Sequence, residues 1–121
     1  MSTLVTSNIS DGTTSVGTGY VVNGSAKVLV SYNSDIPTTA IRHSMNVSSL
    51  TDNGNGYETI GMSSAFDGAD YVGAASVSNG EYVSHFQNYS ASSVQSVIYY
   101  ADANVYAPNY YVSCALFGDL A

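Results

Sequence analysis

Residues 38–59 read TTAIRHSMNVSSLTDNGNGYET, and they decide the fold. Ile41, His43, Met45 and Val47 alternate with Arg42, Ser44, Asn46 and Ser48, the two-residue period of an extended strand. Asp52-Asn53-Gly54-Asn55-Gly56 follows, and Asn-Gly pairs supply the positive φ that a tight hairpin turn needs. Tyr57-Glu58-Thr59 then opens a returning strand. Pattern and turn chemistry together predict a long strand, a turn and an antiparallel partner.

The same signals extend in both directions. Upstream, Ala26, Val28, Val30 and Tyr32 alternate with Lys27, Leu29 and Ser31. Downstream, residues 57–62, 71–78, 82–89, 93–100 and 110–117 are β-branched or aromatic-rich, and Gly, Asn, Asp or Pro punctuates most of the gaps. No segment repeats apolar residues at i, i+3 and i+4 over a helical length. Several short strands at this spacing predict an all-β domain over residues 25–121, an antiparallel sandwich of jelly-roll-like kind. Residues 1–24 differ. Turn-formers (SDGTTS, GTG) surround short apolar pairs, which reads as an arm of one short strand and a loop. Leu4, Val5 and Ile9 are its candidate attachment residues. The segment has too few apolar residues to hold itself in place, so it is expected to pair with a partner surface.

With 121 residues the chain is one domain with one core. Only 9% of its residues are charged while 45% are hydrophobic, the reverse of a disordered composition. Lys27 and Arg42 are the only basic residues and the net charge is −7. Two cations cannot neutralise a phosphate backbone or hold an anionic membrane, which excludes nucleic acid and such membranes as expected partners. No apolar run approaches the length of about 20 residues that spans a bilayer, so no membrane insertion is expected. Residues 1–5 lack the basic and apolar regions of a signal peptide, which predicts synthesis in a cytoplasm. The four Asn-x-Ser sequons, at Asn8, Asn23, Asn46 and Asn88, then carry no glycosylation meaning. Cys114 is the only cysteine and sits in an apolar run, where it reads as a small buried hydrophobe.

A search for reaction chemistry finds none. Residues 52–56 put Gly54 and Gly56 where a calcium loop needs oxygen ligands, so they read as a turn. Asp67 and Asp70 resemble a carboxylate pair, but the surrounding AFDGAD is a compact turn and Asx residues favour turns for backbone reasons. His43 and His85 share no metal-ligand spacing. No nucleophile elbow is present. The expectation is a protein that is not an enzyme and that uses no metal or cofactor. What remains is an aromatic surplus of 11 Tyr and 3 Phe with no Trp. Tyr with Ser, Gly and Asn is the chemistry of binding loops as well as of strand packing. Tyr106, Pro108 and Asn109 are the candidate surface contact: an aromatic, a residue that limits entropy loss and a hydrogen-bonding amide.

Residues 40–52, AIRHSMNVSSLTD, followed by Asn53-Gly54-Asn55-Gly56-Tyr57, resemble a short domain of tail-fibre and other virion proteins of tailed bacteriophages, especially those of marine bacteria. That family typically runs A-I-R-x-S-x-N-V-S-S-x-T-D-N-G-x-G-x-Y. The resemblance continues through residues 9–16 (ISDGTTSV), 21–27 (VVNGSAK), 67–71 (DGADY) and 111–118 (YVSCALFG). His43 departs from a family position that often carries Asp or a small residue, and Leu29 stands where an aromatic, usually Trp, is common. The resemblance implies a virion structural protein on the particle exterior: a homotrimer acting as a tail fibre or fibre tip in host attachment. Its partners would be its own copies, another virion protein, and a host surface glycan or protein. A capsid decoration protein on the head surface is the alternative within that class, and a carbohydrate-binding module unrelated to virions is the alternative outside it.

Overall fold

The structure, a computed structural model, describes residues 1–35 and 39–121. Thr38, at the head of the stretch quoted above, lies outside the described residues. In chain order the elements are β1 (Asn8–Ser10), β2 (Ser15–Gly17), α1 (Thr18–Gly24), β3 (Val28–Asn33), β4 (Ala40–Met45), β5 (Val47–Asp52), β6 (Tyr57–Met62), β7 (Val72–Val77), β8 (Tyr82–Ser90), β9 (Ser93–Tyr100), β10 (Val105–Tyr106) and β11 (Val112–Phe117). The fold is an antiparallel sandwich. One sheet runs β4-β3-β11-β7; the other runs β10-β9-β6-β5, with β8 on the far side of β9. β1 and β2 form a separate hairpin outside both sheets.

Alternation builds the core. Val28, Val30 and Tyr32 of β3 and Val112, Cys114 and Leu116 of β11 point inward from the first sheet. They meet Ile60, Met62, Val94 and Ile98 of β6 and β9. Each such side chain, fully buried, is worth roughly 1.5–3 kcal/mol relative to exposure. Phe66 and Tyr71, from the crossing between β6 and β7, join the same cluster with their rings stacked at 4.3 Å between centroids. Every core residue falls between Val28 and Leu116.

The stretch that decides the fold does so differently from its pattern. It is not one long strand, because Asn46 breaks it at φ 57 and sends β4 into one sheet and β5 into the other. The Asn46 amide fixes this corner: its Nδ2 donates to Ser64 O at 3.0 Å and its Oδ1 accepts from Ser64 N at 2.6 Å. A bulge between Ser31 and Tyr32 also shifts the β3–β4 register. Ile41 therefore pairs with inward-facing Tyr32, while His43 pairs with outward-facing Ser31, and the four alternating residues do not share a face. The hairpin turn matches its expectation. Asp52 Oδ1 accepts from Gly54 N at 2.8 Å, and Gly54 and Gly56 both have positive φ. At Gly56 a Cβ would lie 2.7 Å from Ile98 O and 2.8 Å from Ala107 O, so this position admits glycine for space as well as conformation.

Residues 18–24 are helical, whereas the sequence pattern reads them as loop. Lys27 explains the difference: its Nζ bonds Val22 O, and bonds Ser25 O and Ser25 Oγ at 2.9 Å each. A cation among the last carbonyls of a two-turn helix satisfies groups the short helix leaves open.

Candidate functional site

The arm is built from short-range hydrogen bonds. Asp11 Oδ1 accepts from the N–H groups of Thr13 and Thr14 at 2.9 and 2.8 Å, closing the β1–β2 turn. Those bonds, Thr14 first, hold the Asp11 carboxyl below its ordinary range. Thr18 N–H donates to Ser7 O at 2.9 Å, and Thr18 Oγ1 to Thr6 O at 2.9 Å, tying α1 to the hairpin. Backbone groups from Thr6 to Thr18 are therefore tied locally, while the apolar side chains of the arm stay exposed. Leu4 is 85% and Val5 91% exposed, and Ile9, Val16, Tyr20, Val21 and Val22 are exposed as well. None of the first 24 residues is buried.

The three residues chosen as a surface contact separate. Tyr106 lies in β10 and is 44% exposed. It packs on Tyr57 at 4.4 Å between centroids and edge-on to Tyr99 at 5.4 Å. Both partners project from the outer face of the second sheet, in line with Val83, His85 and Val97. Desolvation and the hydroxyl contact with Tyr106 push the Tyr57 phenol up to about 12. Tyr99 donates its hydroxyl to Asn104 Oδ1. The result is a patch of Tyr57, Tyr99 and Tyr106 with the Asn104 amide bonded at its edge. Pro108 is half-buried beside it. Asn109 is the correction: only 7% of it is exposed, and it does not face outward. Its N–H donates to Ser34 Oγ at 2.8 Å and its carbonyl accepts from Ser34 N at 3.0 Å. Its Oδ1 accepts from Ser78 Oγ at 2.8 Å and from Tyr111 N at 3.1 Å. Asn109 is a latch joining the chain after β3, the end of β7 and the start of β11.

Arg42, the second cation, is likewise spent on structure. Its guanidinium carbon sits 4.5 Å from the Tyr110 ring centroid and 4.2 Å from that of Tyr111, and Nη2 donates to Tyr110 O at 3.2 Å. Nothing near Tyr110 and Tyr111 in the chain points to Arg42, which lies 68 residues from Tyr110 in the sequence.

A polar chain crosses the middle of the sandwich. Glu58 of β6 is fully buried, with Oε2 3.3 Å from Tyr32 Oη; Tyr32 Oη is 2.9 Å from Ser96 Oγ, which lies 3.8 Å from Cys114 Sγ. The Tyr32 hydroxyl faces two acceptors, Glu58 Oε2 and Ser96 Oγ, with a single proton to donate between them. Burial pushes the Glu58 carboxyl up to about 8, against the opposing contact with Tyr32, and Asp52 adds to the rise. Glu58 Oε1 has no hydrogen-bond partner among the described residues. Burial, opposed by the Ser96 contact, also pushes the Cys114 thiol up to about 12. Glu58 stands in phase with Ile60 and Met62 in the sequence, and that is the signal that marks it as inward-facing.

Of the remaining residues considered for chemistry, the two histidines stay apart. His43 and His85 lie on outer faces of opposite sheets, both exposed. Asp67 and Asp70 line an open groove of about 510 Å³ with Asn23 and Asp119. Among the described residues no group of three His, Cys, Asp or Glu is placed to hold a metal. No helix is long and apolar enough to cross a membrane among those residues. Comparison with protein-family models, with curated proteins and with solved structures finds no match to this chain.

Proposed function

We propose that this chain is a non-enzymatic structural protein of a tailed-phage virion, seated at a tail fibre or its tip. In this reading the sandwich is displayed outward and residues 1–24 hold it to another virion chain. One observation carries it: the arm has defined hydrogen bonding yet buries none of its apolar side chains. An apolar segment that gains nothing from its own core makes sense as a contact surface. The resemblance of residues 40–57 to virion proteins supplies the particle, and membership of a fibre implies a homotrimer. The tyrosine patch of Tyr57, Tyr99 and Tyr106 is the surface offered to a host glycan or protein, since tyrosine gives large contact area at low entropic cost.

Deleting residues 2–22 is expected to abolish incorporation into particles, read by mass spectrometry of purified virions. The truncated chain should keep a cooperative thermal transition, because no core residue precedes Val28. Tyr106→Ala is expected to leave assembly intact and lower adsorption to host cells. Normal adsorption would instead place the protein on the capsid as decoration. Incorporation of the deletion variant at the wild-type level would end the attachment role of the arm.

A further inference from the structure

Of the nine carboxylates in this chain, eight are exposed and only Glu58 is buried. None of the eight lies on β3, β4, β7 or β11. The strands of that sheet therefore carry no acidic side chain, and Asp70 and Asp119 flank only its Val72–Phe117 end, in a protein of net charge −7. Strand register gives the face its texture. Met45, Leu29, Ala115 and Ala74 form one row across four strands, and Phe117 pairs with Val72 in the next. Val72 is 69% exposed. Small side chains on β7 and β11 leave a shallow groove of about 320 Å³ beside Leu29, with no charged residue in its lining.

We propose that residues 1–24 of one copy lie over this face of a second copy, so that the protein assembles with itself by exchanging arms. The idea rests on the reading of the arm as an attachment segment and names its partner. Charge selects that partner. Copies of a −7 chain repel wherever their carboxylates face one another, so neutral surfaces are where they meet at least cost. The arm and this sheet face are two such surfaces. The arm carries one acid, Asp11, and no Lys or Arg; the face carries no acid, and its Arg42 is held by Tyr110 and Tyr111. A cationic partner would be drawn to the acidic groove at Asp67, Asp70 and Asp119 instead. Shape agrees with charge, because exposed Leu4, Val5 and Ile9 meet a face of small residues and open grooves. An arm bound to a different patch is a heterologous contact, which closes into a ring when the rotation permits.

The test is light scattering and chemical cross-linking of the full-length protein at roughly 100 μM, a concentration that populates even weak self-association. The wild type should be multimeric. Val5→Asp in the arm, or Ala74→Asp or Val72→Asp on the face, should each weaken association at least about tenfold by opposing a charge to an apolar surface. Val72 and Ala74 are exposed in the single chain, so circular dichroism should show unchanged folding, and either variant can stand in for the other. Mixing Val5→Asp with Ala74→Asp should restore a complex of two chains, since each supplies the half the other lacks. A monomeric wild type, or multimers indifferent to all three substitutions, would overturn the exchange. If the wild type is monomeric while deletion of residues 2–22 still abolishes particle incorporation, the arm binds a different virion chain: the attachment reading stands and this inference falls.

Discussion

Asn109 shows how much one amide can hold. Its Oδ1 takes Ser78 Oγ at 2.8 Å and Tyr111 N at 3.1 Å, and its backbone pairs with Ser34, so three segments distant in sequence meet at one buried residue. Asn109→Ala removes the shared acceptor and leaves both donors to find others. Loss of roughly 1–3 kcal/mol is expected from a urea midpoint shift at unchanged slope. A variant as stable as the wild type would return Asn109 to the surface role that the sequence suggests for it. Tyr106, three residues earlier, is the contrast. It packs on Tyr57 and Tyr99 while keeping nearly half its surface in solvent, so it is available to a partner.

At the scale of elements, the corner between β4 and β5 is the decisive joint, because it passes the chain from one sheet to the other. Asn46 contributes in two ways there: a tolerance for φ 57, and an amide that pairs with Ser64 as a neighbouring strand would. The two can be separated. Asn46→Gly keeps the backbone conformation and loses the amide; Asn46→Ala loses both. Destabilisation of about 1 kcal/mol for the first and about 2 kcal/mol or more for the second is expected, measured by equilibrium unfolding. Equal values for the two variants would mean that the left-handed backbone costs nothing here. The arm is the opposite kind of element, well hydrogen-bonded locally and contributing nothing to the core.

Across the whole molecule, the chain Glu58–Tyr32–Ser96–Cys114 ties the two sheets through their centre, and it gives stability a pH dependence. Glu58 titrates near 8 when folded and near 4.5 when unfolded, so the folded state holds a proton that the unfolded state releases. Stability from this group is fully present below about pH 4.5, falls by roughly 1.4 kcal/mol per pH unit as pH rises, and is flat above about pH 8. Relief of repulsion in a chain of net charge −7 adds a trend of the same sign at acid pH, so the informative quantity is a difference. Glu58→Gln keeps the shape and cannot ionise. Wild type minus variant should slope downward between pH 5 and 8 in thermal unfolding and level off beyond. A flat difference across that window would show that Glu58 is solvated rather than held neutral.

Strand identity was legible from the chain because its causes are local. A two-residue period, β-branched and aromatic content and Asn-Gly turns act within a few residues, and β6 and β9 begin and end where those signals place them. The turn at residues 52–56 was legible for the same reason: positive φ is a property of the residues themselves. The low apolar content of residues 1–24 is visible in composition, and Leu4, Val5 and Ile9 are exposed. Long-range packing settled the rest. Asn46 can extend a strand or end one, and the amide's partner, Ser64, lies 18 residues away. Asn109 has the composition of a loop tip, yet Ser34, 75 residues distant, buries it. Lys27 and Arg42 look like free surface charges, and only the placement of α1 and of two tyrosine rings turns them into clamps. A short-range pattern states which conformations a residue can adopt; which polar group meets which is decided when the sheets close, because a buried donor or acceptor must find its partner wherever the fold brings one.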